Sequence, residues 1–220
     1  MSIFEDLREW IEQATAIDEL VVSEGADLKL EIGTVAQLIA KNQGPAVLHR
    51  KINGYPPDFR VLTNMLCNVR TFNLAFGLPL DSAMRDTIET LRRKALDWER
   101  ESVQFPPEFV DKAPILENII EGDDIDLNIF PVPTWHELDG GRYIGTADAN
   151  ITRDFETGQI NVGTYRCQLH DRYTVGMMIT HGHHGRIHRD TYFDRGEPCP
   201  AVMVFGVDPL LFAVAASEVP

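Results

Sequence analysis

Along the first hundred residues apolar positions recur at intervals of three and four, the spacing that places side chains on one face of a helix. Phe4, Leu7, Ile11 and Ala14 form the first stripe, with Ser2 as the expected N-cap and Glu5 three residues further on. Residues 27–41 repeat the pattern, with Leu30, Val35, Leu38 and Ile39 as expected core positions. The apolar runs at residues 45–49 and 60–64 predict two strands on either side of a Gly54-Tyr55-Pro56-Pro57 turn. Residues 68–76 predict a helix that stops at Gly77, with Pro79 just beyond. Residues 82–100 predict a longer helix carrying Met84, Ile88, Leu91, Ala95 and Trp98 along one face.

The pattern changes near residue 104. Pro106, Pro107 and Pro114 predict an extended linker, and after Pro131-Val132-Pro133 the periodicity turns to that of strands. Residues 147–152, the polar turn 154–158 and residues 161–166 carry a hairpin signature, and residues 175–180 and 201–206 predict further strands. Between these, residues 186–195 predict a short helix. The expectation is an α+β chain: an N-terminal α/β domain over residues 1–113, then a β-rich domain over residues 114–220 that is left unfinished at Pro220.

Composition narrows the function classes. The chain has 220 residues, 44% of them hydrophobic and 25% charged, as expected for a globular protein. Twenty Lys and Arg against 34 Asp and Glu give a net charge of −14, which argues against general nucleic-acid binding and against docking on an anionic membrane. No apolar run approaches a membrane span, and the first residues lack a basic-then-apolar leader pattern. Cys67, Cys167 and Cys199 are an odd, widely spaced set with no Cys-x-x-Cys pair, so reduced thiols and a cytoplasmic location are expected. Residues 115–139 hold seven acids and no Lys or Arg, which reads as a solvated acidic surface.

Two features could carry chemistry. His170, His181, His183, His184 and His188 are five of the seven histidines and lie within nineteen residues. Imidazole is the commonest metal ligand, yet the His-Glu-x-x-His of a zinc protease is absent. The segment reads either as a metal site or as a polar loop, and Gly182 and Gly185 favour a loop ahead of the helix. Gly140-Gly141-Arg142 and Asn161-Val162-Gly163-Thr164-Tyr165-Arg166 each place backbone amides near a guanidinium, which suits an anion. The alternative is an ordinary turn with a surface Arg. No nucleophile motif is present, and Cys167 and Cys199 show no sign of activation.

Several motifs in one order resemble the UbiD-like decarboxylases, which use prenylated flavin mononucleotide (prenylated FMN). They are Phe130-Pro131-Val132-Pro133-Thr134-Trp135-His136-Glu137, residues 140–145, Ile151-Thr152-Arg153-Asp154, residues 161–166, His184-Gly185-Arg186-Ile187-His188 and Gly196-Glu197-Pro198-Cys199-Pro200. Residues 63–78 also resemble that family's N-terminal domain. The resemblance implies an incomplete split β-barrel flavin-binding domain over residues 114–220. It implies Asn161 and His184 as ligands of a metal, usually Mn2+, that bridges to the flavin phosphate. K+ would sit nearby on backbone carbonyls around Ala215, Ala216 and Ser217. Thr164, Tyr165, Arg166, Met178, Ile179, Thr180 and Gly185 would line the cofactor. Arg166 would be the catalytic guanidinium that orients the substrate carboxylate.

The implied reaction is a reversible, non-oxidative decarboxylation of an aromatic, heteroaromatic or α,β-unsaturated acid, with the modified flavin as electron sink. The implied complete protein is a homo-oligomer whose cofactor comes from a flavin prenyltransferase. The family's chain is about twice as long as this one. Its third metal ligand, a Glu, and both Glu partners of Arg166 would fall beyond Pro220. Two other readings compete: a non-catalytic subunit or assembly module, and a metal hydrolase built on the histidines.

Overall fold

The computed structural model describes residues 4–106 and 108–217. The first helix, α1 (Leu7–Ala16), buries Trp10 and Ala14. Its N-cap is Asp6, whose carboxylate accepts from the N–H groups of Arg8 at 2.8 Å and Glu9 at 3.0 Å. Asp6 therefore takes the place expected of Ser2, which lies outside the described residues. The apolar stripe of α1 and Phe4 pack with Ala46, Met65 and Leu74 as the first core.

A strand that the spacing did not predict, β1 (Leu20–Glu24), follows α1. It pairs in parallel with β2 (Ala46–Arg50), which pairs antiparallel with β3 (Val61–Thr63). Between β1 and β2 lies α2 (Glu31–Lys41), four residues shorter at its start than the expected 27–41. Leu30 sits at its N-cap with φ +72°, so the helix cannot extend back through it. The buried residues of α2 are Ile32 and Gly33, while Leu38 is 55% exposed. Gly33 is there because the chain crosses it closely: a Cβ would lie 1.9 Å from the carbonyl oxygen of Trp135. Backbone bonds Leu30 N–H to Thr134 O and Thr134 N–H to Leu28 O tie the same crossing.

Then come α3 (Val69–Ala75) and α4 (Met84–Glu101). Asn68 caps α3 in a reciprocal bond pattern with Thr71, as its position just before the apolar run suggests. On α4 the expected apolar face is not a core face: Met84 and Ile88 are more than half exposed, and the buried contact is Thr87, whose hydroxyl donates to Asn73 Oδ1 at 2.7 Å. The side chain of Ala95 is outside the described residues. From residue 102 the chain runs in short 3-10 turns and extended segments; its acids and most of its apolar residues are exposed, Phe109 at 96%. Pro107 is outside the described residues.

The rest of the chain forms two more three-stranded sheets. In one, β7 (Cys167–Leu169) lies between β4 (Arg142–Gly145) and β8 (Val175–Met177). In the other, β5 (Asp148–Arg153) lies between β6 (Ile160–Gly163) and β9 (Ala201–Phe205), all antiparallel. The expected hairpin is the pair β5 and β6. The sheets are open and no barrel closes among the described residues. Two helices brace them: α5 (His184–Phe193) and α6 (Pro209–Ala215), the latter capped by Asp208. Phe212 of α6 packs against Ala149 and Val207 and also against the first core, so both halves share one interior. An apolar cavity of about 470 Å³ remains between them, lined in part by Leu7, Leu48, Val132, Tyr143 and Val207. Among the described residues no helix is long and apolar enough to cross a membrane.

Candidate functional site

Of the residues singled out in the β-rich half, Asn161, Tyr165, His183 and Gly185 meet at the end of the β5–β6 hairpin. β6 presents Asn161 and ends at Gly163; the chain then turns through Thr164, Tyr165 and Arg166 into β7. Tyr165 is only 7% exposed, so its ring points inward. Its hydroxyl oxygen accepts from Asn161 Nδ2 at 3.4 Å and from the backbone N–H of Gly185 at 3.3 Å. One phenol oxygen thus joins the strand that carries Asn161 to the first turn of the helix that carries His184. His183, the residue before α5, meets the Tyr165 ring edge-on with centroids 5.9 Å apart.

The two glycines beside this phenol are there for space. A Cβ at Gly163 would sit 2.6 Å from Tyr165 Oη, and one at Gly185 would sit 2.8 Å from it. Gly185 therefore lies inside the helix, packed on Tyr165, and not in a loop ahead of it. The helix begins two residues earlier than the expected 186, which places His184 on its first turn.

The exposed rim is continuous. Arg166 is exposed and its carbonyl accepts from the N–H of Met178 at 3.2 Å, so their backbones lie side by side where β7 begins and β8 ends. Among the described residues its guanidinium has no ion-pair partner. Ile179 follows, its carbonyl accepting from Arg186 Nη1 at 3.5 Å, and Thr180 lies exposed after it. Arg186 and Arg189 flank Asp190 and hold its carboxyl below the ordinary carboxylate range, the Arg186 bond contributing most. The chain is acidic as a whole, yet residues 166–189 carry Arg166, Arg186 and Arg189 together with the exposed His181, His183 and His184.

Beneath the turn lies a buried polar cluster that spacing did not reveal. Asp148 is 1% and Asn150 0% exposed. Asp148 accepts from Thr164 Oγ1 at 3.1 Å and from Asn150 Nδ2 at 3.0 Å; Asn150 Nδ2 also reaches the carbonyl of Tyr165 at 3.3 Å. Cys167 completes the cluster, and burial, with Asp148 nearby, pushes its thiol far up, so it is an inert protonated thiol. The sequence signal was available: Asp148, Asn150 and Thr152 alternate along one strand, so one face of β5 is polar and, unusually, buried.

Thr152 and His188 form the next rung. Thr152 Oγ1 lies 3.0 Å from His188 Nδ1, and Asp154 Oδ2 lies 4.0 Å from His188 Nε2. Burial lowers the His188 pKa despite Asp154, which favours the neutral ring, and the residue braces α5 on β5. The histidines thus separate into different tasks. His188 is structural, His183 packs on Tyr165, and His170 packs over Gly176. His181 and His184 are exposed. Among the described residues no three His, Cys, Asp or Glu side chains gather as they would to hold a metal.

What this frame is related to follows from comparison with known proteins. A profile described as the 3-octaprenyl-4-hydroxybenzoate carboxy-lyase N-terminal domain matches residues 13–91, and one for the Rift-related domain of the same carboxy-lyase matches residues 108–220. The chain belongs to the UbiD family. It is 30% identical over 224 residues to the pyrrole-2-carboxylic acid decarboxylase of Pseudomonas aeruginosa, covering 98% of this chain and 44% of that protein. It superposes on the closed form of the Sedimentibacter hydroxybenzoicus vanillic acid decarboxylase with a TM-score of 0.89 and 30% identity, over 100% of this chain and 46% of that one. The UbiD-class enzyme HmfF of Pelotomaculum thermopropionicum, solved in complex with FMN, is similar at a TM-score of 0.74 and 25% identity, over 93% of this chain and 43% of that one. The chain spans a little under half the length of these relatives.

Proposed function

We propose that Asn161 and the first turn of α5 hold the phosphate end of a flavin mononucleotide, prenylated in the working enzyme, and that residues 164–166 and 178–180 lie along the cofactor. In this reading the complete protein is a carboxy-lyase that reversibly, and with no net oxidation, removes CO2 from an aromatic, heteroaromatic or α,β-unsaturated acid. Residues 1–113 are its N-terminal α/β domain and residues 114–220 part of a split β-barrel flavin domain. The observation that supports the reading is the single phenol oxygen that joins the Asn161 side chain to the backbone of Gly185, the residue after His184.

The donor set fits a divalent ion such as Mn2+. Tyr165 takes the NH2 side of the Asn161 amide, leaving the carbonyl oxygen for a cation. His184 is exposed. An amide oxygen, an imidazole nitrogen and a phosphate oxygen suit a hard-to-borderline ion. K+ would be held by carbonyls of Ala215, Ala216 and Ser217, at the negative end of α6. When bound, the prenylated flavin supplies the electron sink for departing CO2. Arg166 binds and orients the substrate carboxylate, because its charge is permanent and the residue is exposed. Asp148 and Asn150 hold the turn that presents it.

The test is an FMN titration followed by flavin fluorescence with Mn2+ present. Asn161→Ala and His184→Ala should each weaken binding by more than about tenfold. Unchanged affinity in both variants would remove the assignment.

A further inference from the structure

We infer that Tyr165 is a positioning residue that sets the orientation of the Asn161 amide and does not itself contact the metal; the inference rests on the reading of Asn161 as a metal ligand. An amide side chain has two ends of similar size, and only the oxygen end can ligate a cation. Nothing in the shape of Asn distinguishes them, so a ligating Asn needs a neighbour that accepts a hydrogen bond from its NH2 group. Tyr165 Oη is that neighbour, 3.4 Å from Asn161 Nδ2.

The phenol is fixed in this task from three sides. Its oxygen accepts a second bond, from the Gly185 N–H at 3.3 Å. Two acceptor bonds occupy both lone pairs of the hydroxyl, so the oxygen has none left for a metal. Gly163 and Gly185 lie against the head of the ring, where a Cβ at either would come within 2.8 Å of Oη. The Asn150 amide holds the Tyr165 carbonyl at 3.3 Å from below. The ring is buried, so its place is set by packing and the oxygen's by two donors.

Orientation can be separated from simple support. A carboxylate at position 161 presents an oxygen whichever way it turns, so it does not need the hydroxyl. The experiment therefore measures Mn2+ binding, with FMN at millimolar concentration, from the loss of the free-ion EPR signal in four proteins: wild type, Tyr165→Phe, Asn161→Asp and the double variant. Tyr165→Phe should weaken Mn2+ binding roughly fivefold in the wild-type background, the worth of one hydrogen bond. In the Asn161→Asp background the same change should weaken it less than about twofold. Equal losses in the two backgrounds would mean that Tyr165 only supports α5, and would overturn the inference, as would no loss in the wild-type background. A second readout needs no metal: the side-chain amide protons of Asn161 should exchange slowly with solvent in wild type and faster in Tyr165→Phe. Equal exchange overturns the inference too. Slow exchange in a wild type that binds no Mn2+ would instead sink the metal reading, and the inference with it.

Discussion

Gly185→Ala is the substitution on which helix propensity and packing disagree in sign. Gly185 lies in the first turn of α5 and is not among the residues with positive φ, so its backbone accepts any residue. Propensity alone would have alanine stabilise the helix by up to ~1 kcal/mol. The neighbour reverses this. The new Cβ would lie 2.8 Å from Tyr165 Oη, 2.9 Å from Cε2 and 3.1 Å from Cζ. Gly163 meets the same atoms from β6, at 2.6 Å for Oη and 2.7 Å for Cζ, so the phenol is held on both sides. Overpacking of this kind costs about 1–3 kcal/mol, and loss of the Gly185 N–H bond adds ~1 kcal/mol. The net expectation is a destabilisation of about 1–3 kcal/mol, read from urea denaturation followed by circular dichroism. Tyr165→Leu removes the three crowding atoms. In that background the same Gly185→Ala should be neutral or stabilising. A Gly185→Ala protein as stable as wild type, with Tyr165 in place, would refute the interlock.

Three further outcomes are expected. His49 is fully buried, its Nδ1 has no hydrogen-bond partner among the described residues, and burial pushes its pKa below the ordinary 6.5. As pH falls through about 6.5 the unfolded chain gains a proton that the folded one refuses, so stability is full above that pH and declines below it. The urea midpoint should drop between about pH 7.5 and about pH 5.5, and His49→Asn should reduce that slope, leaving the part that His188 contributes; an unchanged slope would show that His49 is not a source of it. Cys167 should resist a thiol reagent in the native protein and react only on unfolding, because its thiol is buried with its pKa raised; labelling as fast as that of a free thiol would contradict this. Arg166→Ala should change stability by less than ~0.5 kcal/mol and leave FMN binding nearly intact, while abolishing decarboxylation in a complete protein. Near-normal turnover would end its catalytic role.

The helices with an uninterrupted 3.6-residue stripe were legible from spacing, as were the strands bounded by turn residues. α1, α3 and the β5–β6 hairpin lie within a few residues of their expected limits. The errors have local causes. β1 is a five-residue edge strand with Val21 and Val22 exposed, so it shows no apolar-in, polar-out alternation. α2 is cut short by the left-handed Leu30, whose N–H bonds Thr134, more than a hundred residues away. On α4 the stripe is real, but Met84 and Ile88 on it are left uncovered. The site was legible only by family likeness. No local rule links Asn161 to the start of α5, because what joins Asn161 to Gly185 is the side chain of a third residue, Tyr165. The polar floor of Asp148 and Asn150 went unread because a polar face of a strand is ordinarily the solvent face.

The central claim is that Asn161 and His184 grip one metal at the phosphate of a flavin. The most direct test is the anomalous difference map of a crystal grown with FMN and Mn2+. The account predicts a manganese peak bonded to the Asn161 side-chain oxygen, a His184 ring nitrogen and a flavin phosphate oxygen, with Tyr165 Oη still on the amide nitrogen. A flavin whose phosphate lies elsewhere, or a manganese peak that touches neither Asn161 nor His184, would contradict it.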